Sequence, residues 1–215
     1  MPILRVSISS PGEPATGDTS IHPEVPRTTR RRTGALTLIL GCMFSGKTTR
    51  LLDALRAVPE NASLLFKHRM DQRYDVDAVV THSGASLPAI AVSGPRELFP
   101  WVTPETTVVG VDEVHFFTAD FPEIVRELLM RGVDVLGTGL DRNSWGRSIA
   151  VVEALRPLAA RVDLLAAVCG RCGRIATRTQ RTTPIRDGTL VGGPESYEPR
   201  CDACWAPPPE PAPTE

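Results

Sequence analysis

The chain has 215 residues, 41% of them hydrophobic, with 24 Lys and Arg against 25 Asp and Glu, a formal net charge of −1. That length suits one domain, or one domain with a small module, and the charge balance provides no general attraction for nucleic acid or an anionic membrane. No apolar run approaches the about 20 residues needed to cross a bilayer, and the N-terminus lacks the basic start and apolar stretch of a secretory signal, so a cytoplasmic protein is expected.

Residues 1–33 are rich in Pro, Ser, Thr, Gly and Arg without periodicity and read as a disordered tail, with Arg27, Arg30, Arg31 and Arg32 as a solvated basic cluster. An ordered core is expected over 34–168. It opens with an apolar strand at 35–40, followed by Gly41-Cys42-Met43-Phe44-Ser45-Gly46-Lys47-Thr48 and a helix running to about Ala57, before Pro59. The loop fits G-x-x-x-x-G-K-[ST], and between a strand and a helix that spacing makes a phosphate cradle. Backbone N–H groups at the helix N-terminus face the phosphates, Lys47 reaches the β- and γ-phosphates, and the Thr48 hydroxyl ligates Mg²⁺. ATP and Mg²⁺ are therefore the expected cofactors.

Further along, 63–67 reads as a second strand, 68–86 as a loop and 87–92 as a third strand. The β-branched run at 106–111 suits a buried parallel strand and closes on Asp112-Glu113. Asp120 is placed to cap the next helix, with Pro122 in its first turn, Gly132 past its end, and Ile124, Leu128 and Leu129 as its core stripe. A strand at 133–140, a helix at 147–160 and a strand at 164–168 continue the alternation, which predicts a doubly wound α/β fold with a parallel sheet. Residues 169–205 read as a small zinc-stapled module and 206–215 as a Pro-rich disordered tail.

Two constellations carry chemistry. Asp112, at the end of a buried strand, is placed to hold Mg²⁺. Glu113 beside it can take a proton from a hydroxyl nucleophile or orient a water. Cys169/Cys172 and Cys201/Cys204 are two C-x-x-C pairs separated by 28 residues; four thiolates so arranged suit structural Zn²⁺, with iron–sulfur binding or free thiols as alternatives. Between the pairs, Gly192-Gly193 permits close backbone approach to a ligand, and Tyr197 follows it. The cysteines are far from the phosphate loop in sequence, so losing one is expected to weaken acceptor binding more than ATP binding. A rival reading is a nucleic-acid-dependent ATPase, because Asp112-Glu113-Val114-His115 is literally a D-E-x-H box. A chain of this length has no room for the second nucleotide-facing domain such enzymes need.

From about Leu38 to Trp205 the chain resembles the type II, zinc-containing thymidine kinase family. The resemblance rests on 41–49, Asp71-Gln72-Arg73-Tyr74, Asp112-Glu113-Val114-His115-Phe116-Phe117, Gly139-Leu140-Asp141, 176–181, and Val191-Gly192-Gly193 with Tyr197, framed by the four cysteines. It implies ATP-dependent phosphorylation of the thymidine 5′-hydroxyl with Glu113 as proton acceptor. It implies that Gly41 to Thr49 (Thr49 included), Arg73, Asp112, Glu113, Val114 and His115 form the ATP and Mg²⁺ site. It places Phe116 against the thymine ring and Leu140 and Thr179 beside the nucleoside. Leu190, Val191 and Gly192 would meet the base through main chain and Tyr197 the sugar, in a segment that closes as a lasso. It also implies a homotetramer. The chain departs from the family at His115, where Gln is usual, at 142–148, and at Cys42, where Pro is usual. The second change bears on base preference, so a related deoxynucleoside kinase is the other reading, with Trp145 as a substitute aromatic wall.

Overall fold

The computed structural model describes residues 32–71, 78–81, 84–183 and 193–209, all within one compact unit. Of the tails expected over 1–33 and 206–215, residues 1–31 and 210–215 lie outside these residues, as do Arg73, Leu190, Val191 and Gly192.

The first strand, β1, spans Leu36–Gly41 and leads through the phosphate loop into α1, Lys47–Arg56. β2 (Ser63–His68), β3 (Ala78–Val80), β4 (Ser86–Pro88) and β5 (Ile90–Val92) follow. β6 is Val108–Asp112, α2 Phe121–Met130, β7 Asp134–Leu140, α3 Ala150–Leu155 and β8 Ala159–Leu165. The last four strands are short: β9 Ala167–Val168, β10 Ile175–Ala176, β11 Arg178–Arg181 and β12 Tyr197–Arg200.

Six strands form one sheet in the order β5-β2-β6-β7-β1-β8, and every pairing in it is parallel. Parallel strands need covered faces, and the period-2 alternation of the inner strands supplies one apolar set per face. Leu36, Leu38, Leu40, Val109, Val111 and Val135 point to the face covered by α2 and α3, where Ile124, Val125, Leu128, Val151, Val152 and Leu155 meet them. Leu65, Val108 and Leu136 point to the other face, against Leu51, Leu52 and Leu55 of α1. Helices thus cover both faces, as expected of a doubly wound fold. Leu38 is fully buried in the larger cluster. Leu38→Ala should lower unfolding free energy by about 2–5 kcal/mol, read from the urea midpoint. A change under about 1 kcal/mol would show that this face packs loosely.

Several local expectations differ from the fold. The 147–160 helix is only Ala150–Leu155 with a 3₁₀ turn at Arg156–Leu158, and the chain then enters β8. Pro157 halts the helix, and β1 offers a free edge whose backbone groups pair with 159–165. The expected strand at 87–92 is divided. Ser86–Pro88 pairs antiparallel with Ala78–Val80, inside what reads as a loop, while Ile90–Val92 joins the main sheet. Val79 of that hairpin is buried against the α1 leucines, which is what holds the hairpin on the sheet. Asp120 stands at the α2 N-cap, but its carboxylate accepts from the Thr118 hydroxyl and makes no bond to a helix N–H. Gly132 closes α2 as expected: its N–H donates to Leu129 O at 3.0 Å and that of Val133 to Leu128 O at 3.1 Å.

Candidate active site

Parallel strands place their C-terminal ends along one edge, and the loops leaving β1, β6 and β7 gather there. The phosphate loop turns where its glycine allows. Gly46 caps α1 at φ +84°, and an added Cβ would meet nothing within 4 Å, so backbone conformation rather than crowding calls for glycine there. Phe44 (φ 64°) and Glu113 (φ 52°) are the non-glycine residues with positive φ among the described residues, and both lie in this site. Such conformations cost about 1–3 kcal/mol each and persist only where their surroundings enforce them.

Lys47, the first residue of α1, is buried and folds over the loop, its Nζ donating to Cys42 O at 2.7 Å. The Thr48 hydroxyl stands 3.4 Å from both carboxylate oxygens of Asp112. β7 lies between β1 and β6 in the sheet, and its Thr138 joins the two acids. That hydroxyl donates to Asp112 Oδ1 and accepts the Glu113 N–H at 3.2 Å. Asp112 and Glu113 are both buried, and both line one cleft with Lys47, Thr48, Lys67 and Asp71. The chain after Glu113 forms a 3₁₀ turn, Val114–Phe116. The turn brings His115 back, with Nδ1 3.3 Å from Glu113 Oε2. The Leu140 N–H donates to the same ring nitrogen at 3.4 Å, so the amide and the carboxylate compete for one site. A hydroxyl held at this edge would face a buried carboxylate, next to a lysine and a set of loop N–H groups. That is the equipment of phosphoryl transfer.

The four cysteines come together. All four Sγ atoms lie within 4.8 Å of one another, and those of Cys172 and Cys201 are 3.6 Å apart. Sulfurs about 2.3 Å from a common tetrahedral ion stand about 3.8 Å apart, so the thiols fit Zn²⁺. Each pair sits on a tight turn: Gly173 N–H donates to Cys169 O and Cys204 N–H to Cys201 O, both at 3.0 Å. The Arg174 guanidinium, bonded to Cys172 Sγ at 3.4 Å, pulls that thiol down to about 6 and favours the thiolate a metal needs.

A model of the thymidine kinase family matches residues 34–205. A thymidine kinase of Coprothermobacter proteolyticus is 42% identical over 177 residues, covering 79% of this chain and 89% of its own. The chain belongs to the thymidine kinase family. Membership sets aside the nucleic-acid-dependent ATPase reading of the D-E-x-H box and makes the fold that of a phosphotransferase acting on a nucleoside.

Within that family frame, the other described positions singled out from sequence are each fixed by contacts of their own. Phe116 is half-buried, its ring 4.3 Å from that of His115, whereas Phe117 turns into the core and stacks on Phe121 at 4.6 Å. Thr179 is buried on β11 and accepts the Met43 N–H at 3.0 Å. Tyr197 is buried at the start of β12, paired with Arg181, whose guanidinium donates to the phenol at 3.1 Å. Burial pushes the Tyr197 phenol up, partly offset by Arg181, so it stays protonated. Trp145 turns its Nε1–H to Pro209 O at 3.4 Å.

Thr138 and Lys67, both buried at this site, escaped the sequence reading. Thr138 is a lone hydroxyl in an apolar strand, and Lys67 a lone charge at the end of one. Lys67 is register partner to Asp112, and its Nζ donates to Ala78 O at 3.1 Å, fastening the β3–β4 hairpin beside the cleft. A buried polar residue in an apolar run was the available signal, because burial is tolerated only with a partner. The cysteines, far from the phosphate loop in sequence, lie close to it in the fold. Cys42 Sγ donates to Ala176 O at 3.3 Å, and Ala176 packs with Cys169 and Cys201.

Proposed function

We propose that the chain transfers the γ-phosphoryl group of ATP to the 5′-hydroxyl of thymidine, with Glu113 as general base. In a chain of this family, the supporting observation is a buried carboxylate next to the Thr48–Asp112 pair, both acids fixed by one Thr138 hydroxyl. The acceptor O–H gives its proton to Glu113 as the new P–O bond forms. The bond to the β-phosphate oxygen breaks, and ADP leaves. Lys47 and the loop N–H groups, with Arg73, oppose the charge on the phosphates. Thr48 and Asp112 would hold Mg²⁺, which would supply charge neutralisation at the phosphates. On the nucleoside side, Phe116 and Thr179 would border the thymine, Leu140 would lie beside the nucleoside, and main chain at Leu190, Val191 and Gly192 would meet the base and Tyr197 the sugar. The proposed division is a kinase core at 34–168, a lasso module at 169–205 and tails on either side, in a cytoplasmic homotetramer. Among the described residues no helix is long and apolar enough to cross a membrane.

A panel of nucleosides with ATP and Mg²⁺ tests the assignment. Thymidine should be the preferred acceptor by kcat/KM, with formation of the 5′-monophosphate. Preference for another deoxynucleoside would move the assignment to the related kinase with altered base choice, and ATP turnover without any nucleoside dependence would overturn it.

The cysteine cluster is proposed to hold structural Zn²⁺, since all four ligand positions are thiols and none is open to substrate. Metal analysis of purified protein should give about one zinc per chain, and Cys204→Ser should lower both metal content and thermal stability. Fully active protein with no zinc would refute this.

A further inference from the structure

The start of the phosphate loop rests on the cysteine module at consecutive residues. Cys42, buried, donates its thiol to Ala176 O at 3.3 Å. Ala176 is itself fully buried in the small cluster formed with Cys169 and Cys201, with Cys204 and Ala167 at its margin. The next residue, Met43, gives its N–H to Thr179 Oγ1 at 3.0 Å, and Thr179 belongs to β11, whose partner β12 runs directly into Cys201. Gly41 completes the seat: a Cβ there would come within 2.3 Å of Leu165 O, four residues before Cys169. The first three residues of the loop are therefore seated on chain between 165 and 179, and the loop from Met43 to Thr48 lines the cleft with Met43, Phe44, Gly46, Lys47 and Thr48.

We propose that Cys42 and Thr179 are positioning residues that hold the phosphate loop against the cysteine module, so that the integrity of the four-thiol cluster governs nucleotide affinity as well as the nucleoside side. The inference rests on reading the loop as the nucleotide site. A phosphate cradle works because its N–H groups are aimed before the ligand arrives, so an anchor that fixes the loop lowers the cost of binding. Phe44, directly after the two anchored residues, is in the strained left-handed region, which requires such enforcement. Burial pushes the Cys42 thiol up, partly offset by the Lys47 charge, so the thiol keeps the proton it donates. The seat itself depends on Cys169 and Cys201 meeting, and for a cluster of thiolates that meeting is coupled to metal binding.

The test is the dissociation constant for ADP, measured by titration calorimetry on the full chain without nucleoside, alongside zinc content. Cys42→Ala and Thr179→Val should each weaken ADP about three- to tenfold while retaining zinc, the effect of losing one buried hydrogen bond. Cys42→Ser and Thr179→Ser, which keep the donor and the acceptor, should stay within about twofold of the parent. Removing zinc from the unmodified protein with a chelator should weaken ADP at least as much as either single loss. Unchanged ADP affinity in Cys42→Ala and Thr179→Val overturns the proposal, and so does equal weakening in the serine variants, which would mark a merely structural role. If chelation unfolds the protein, the four zinc-retaining variants decide. A parent protein that fails to bind ADP at all would instead overturn the nucleotide-site reading.

Discussion

Replacing Glu113 by Gln should lower turnover about 10²- to 10⁴-fold while leaving ADP affinity nearly unchanged, the range expected when proton acceptance alone is removed. The geometry makes this substitution clean. Glu113 is buried, its backbone is held at φ 52° with its N–H on Thr138, and Gln has the same length and can still hydrogen-bond. The alternative base is His115, whose Nδ1 lies 3.3 Å from the Glu113 carboxylate. Asp112 is the weaker candidate because it faces the Thr48 hydroxyl, where the metal would sit. His115→Gln restores the residue usual in the family and should leave turnover largely intact. Steady-state kinetics on both variants separates the cases. Near-normal turnover in Glu113→Gln, with loss in His115→Gln, would make the histidine the base.

Lys47→Ala should lower turnover about 10³-fold or more, the scale on which charged groups facing a transferring phosphoryl act, and Thr48→Ala should be comparably inactive. Neither change should unfold the protein. The Lys47 ammonium bonds back to the loop at Cys42 O, and the side chain belongs to neither apolar cluster, while alanine favours the first turn of a helix. Thr48 contributes a hydroxyl directed at Asp112. Single-turnover assays together with urea unfolding distinguish loss of chemistry from loss of fold. Parent-like turnover in either variant would refute the assigned roles.

Part of this architecture is carried by local pattern. The alternation of Leu36, Leu38 and Leu40, the loop spacing and the leucines of α1 specify strand, turn and helix with no reference to the rest of the chain. The acids at 112–113 stand where a buried strand must end, and the cysteine spacing states the donor set. Where the pattern is mixed, the reading falters. Residues 159–165 alternate weakly and lie mostly exposed, so only pairing with β1 makes them a strand. Residues 78–80 form a strand because Val79 finds the α1 leucines, a contact across the sheet rather than along the chain.

The sequence by itself determined the chemical inventory: a phosphate loop, two adjacent carboxylates at a strand end and four thiols, because each is a short motif whose spacing is its meaning. The tertiary structure decided which of these touch. Thr138 joins Asp112 to Glu113 only because β7 lies beside β6, and Cys42 meets Ala176 across 134 residues only because β8 lies beside β1 and delivers the cysteine module to the loop. Strand order results from the packing of both faces of the sheet at once, and no local stretch of residues encodes it.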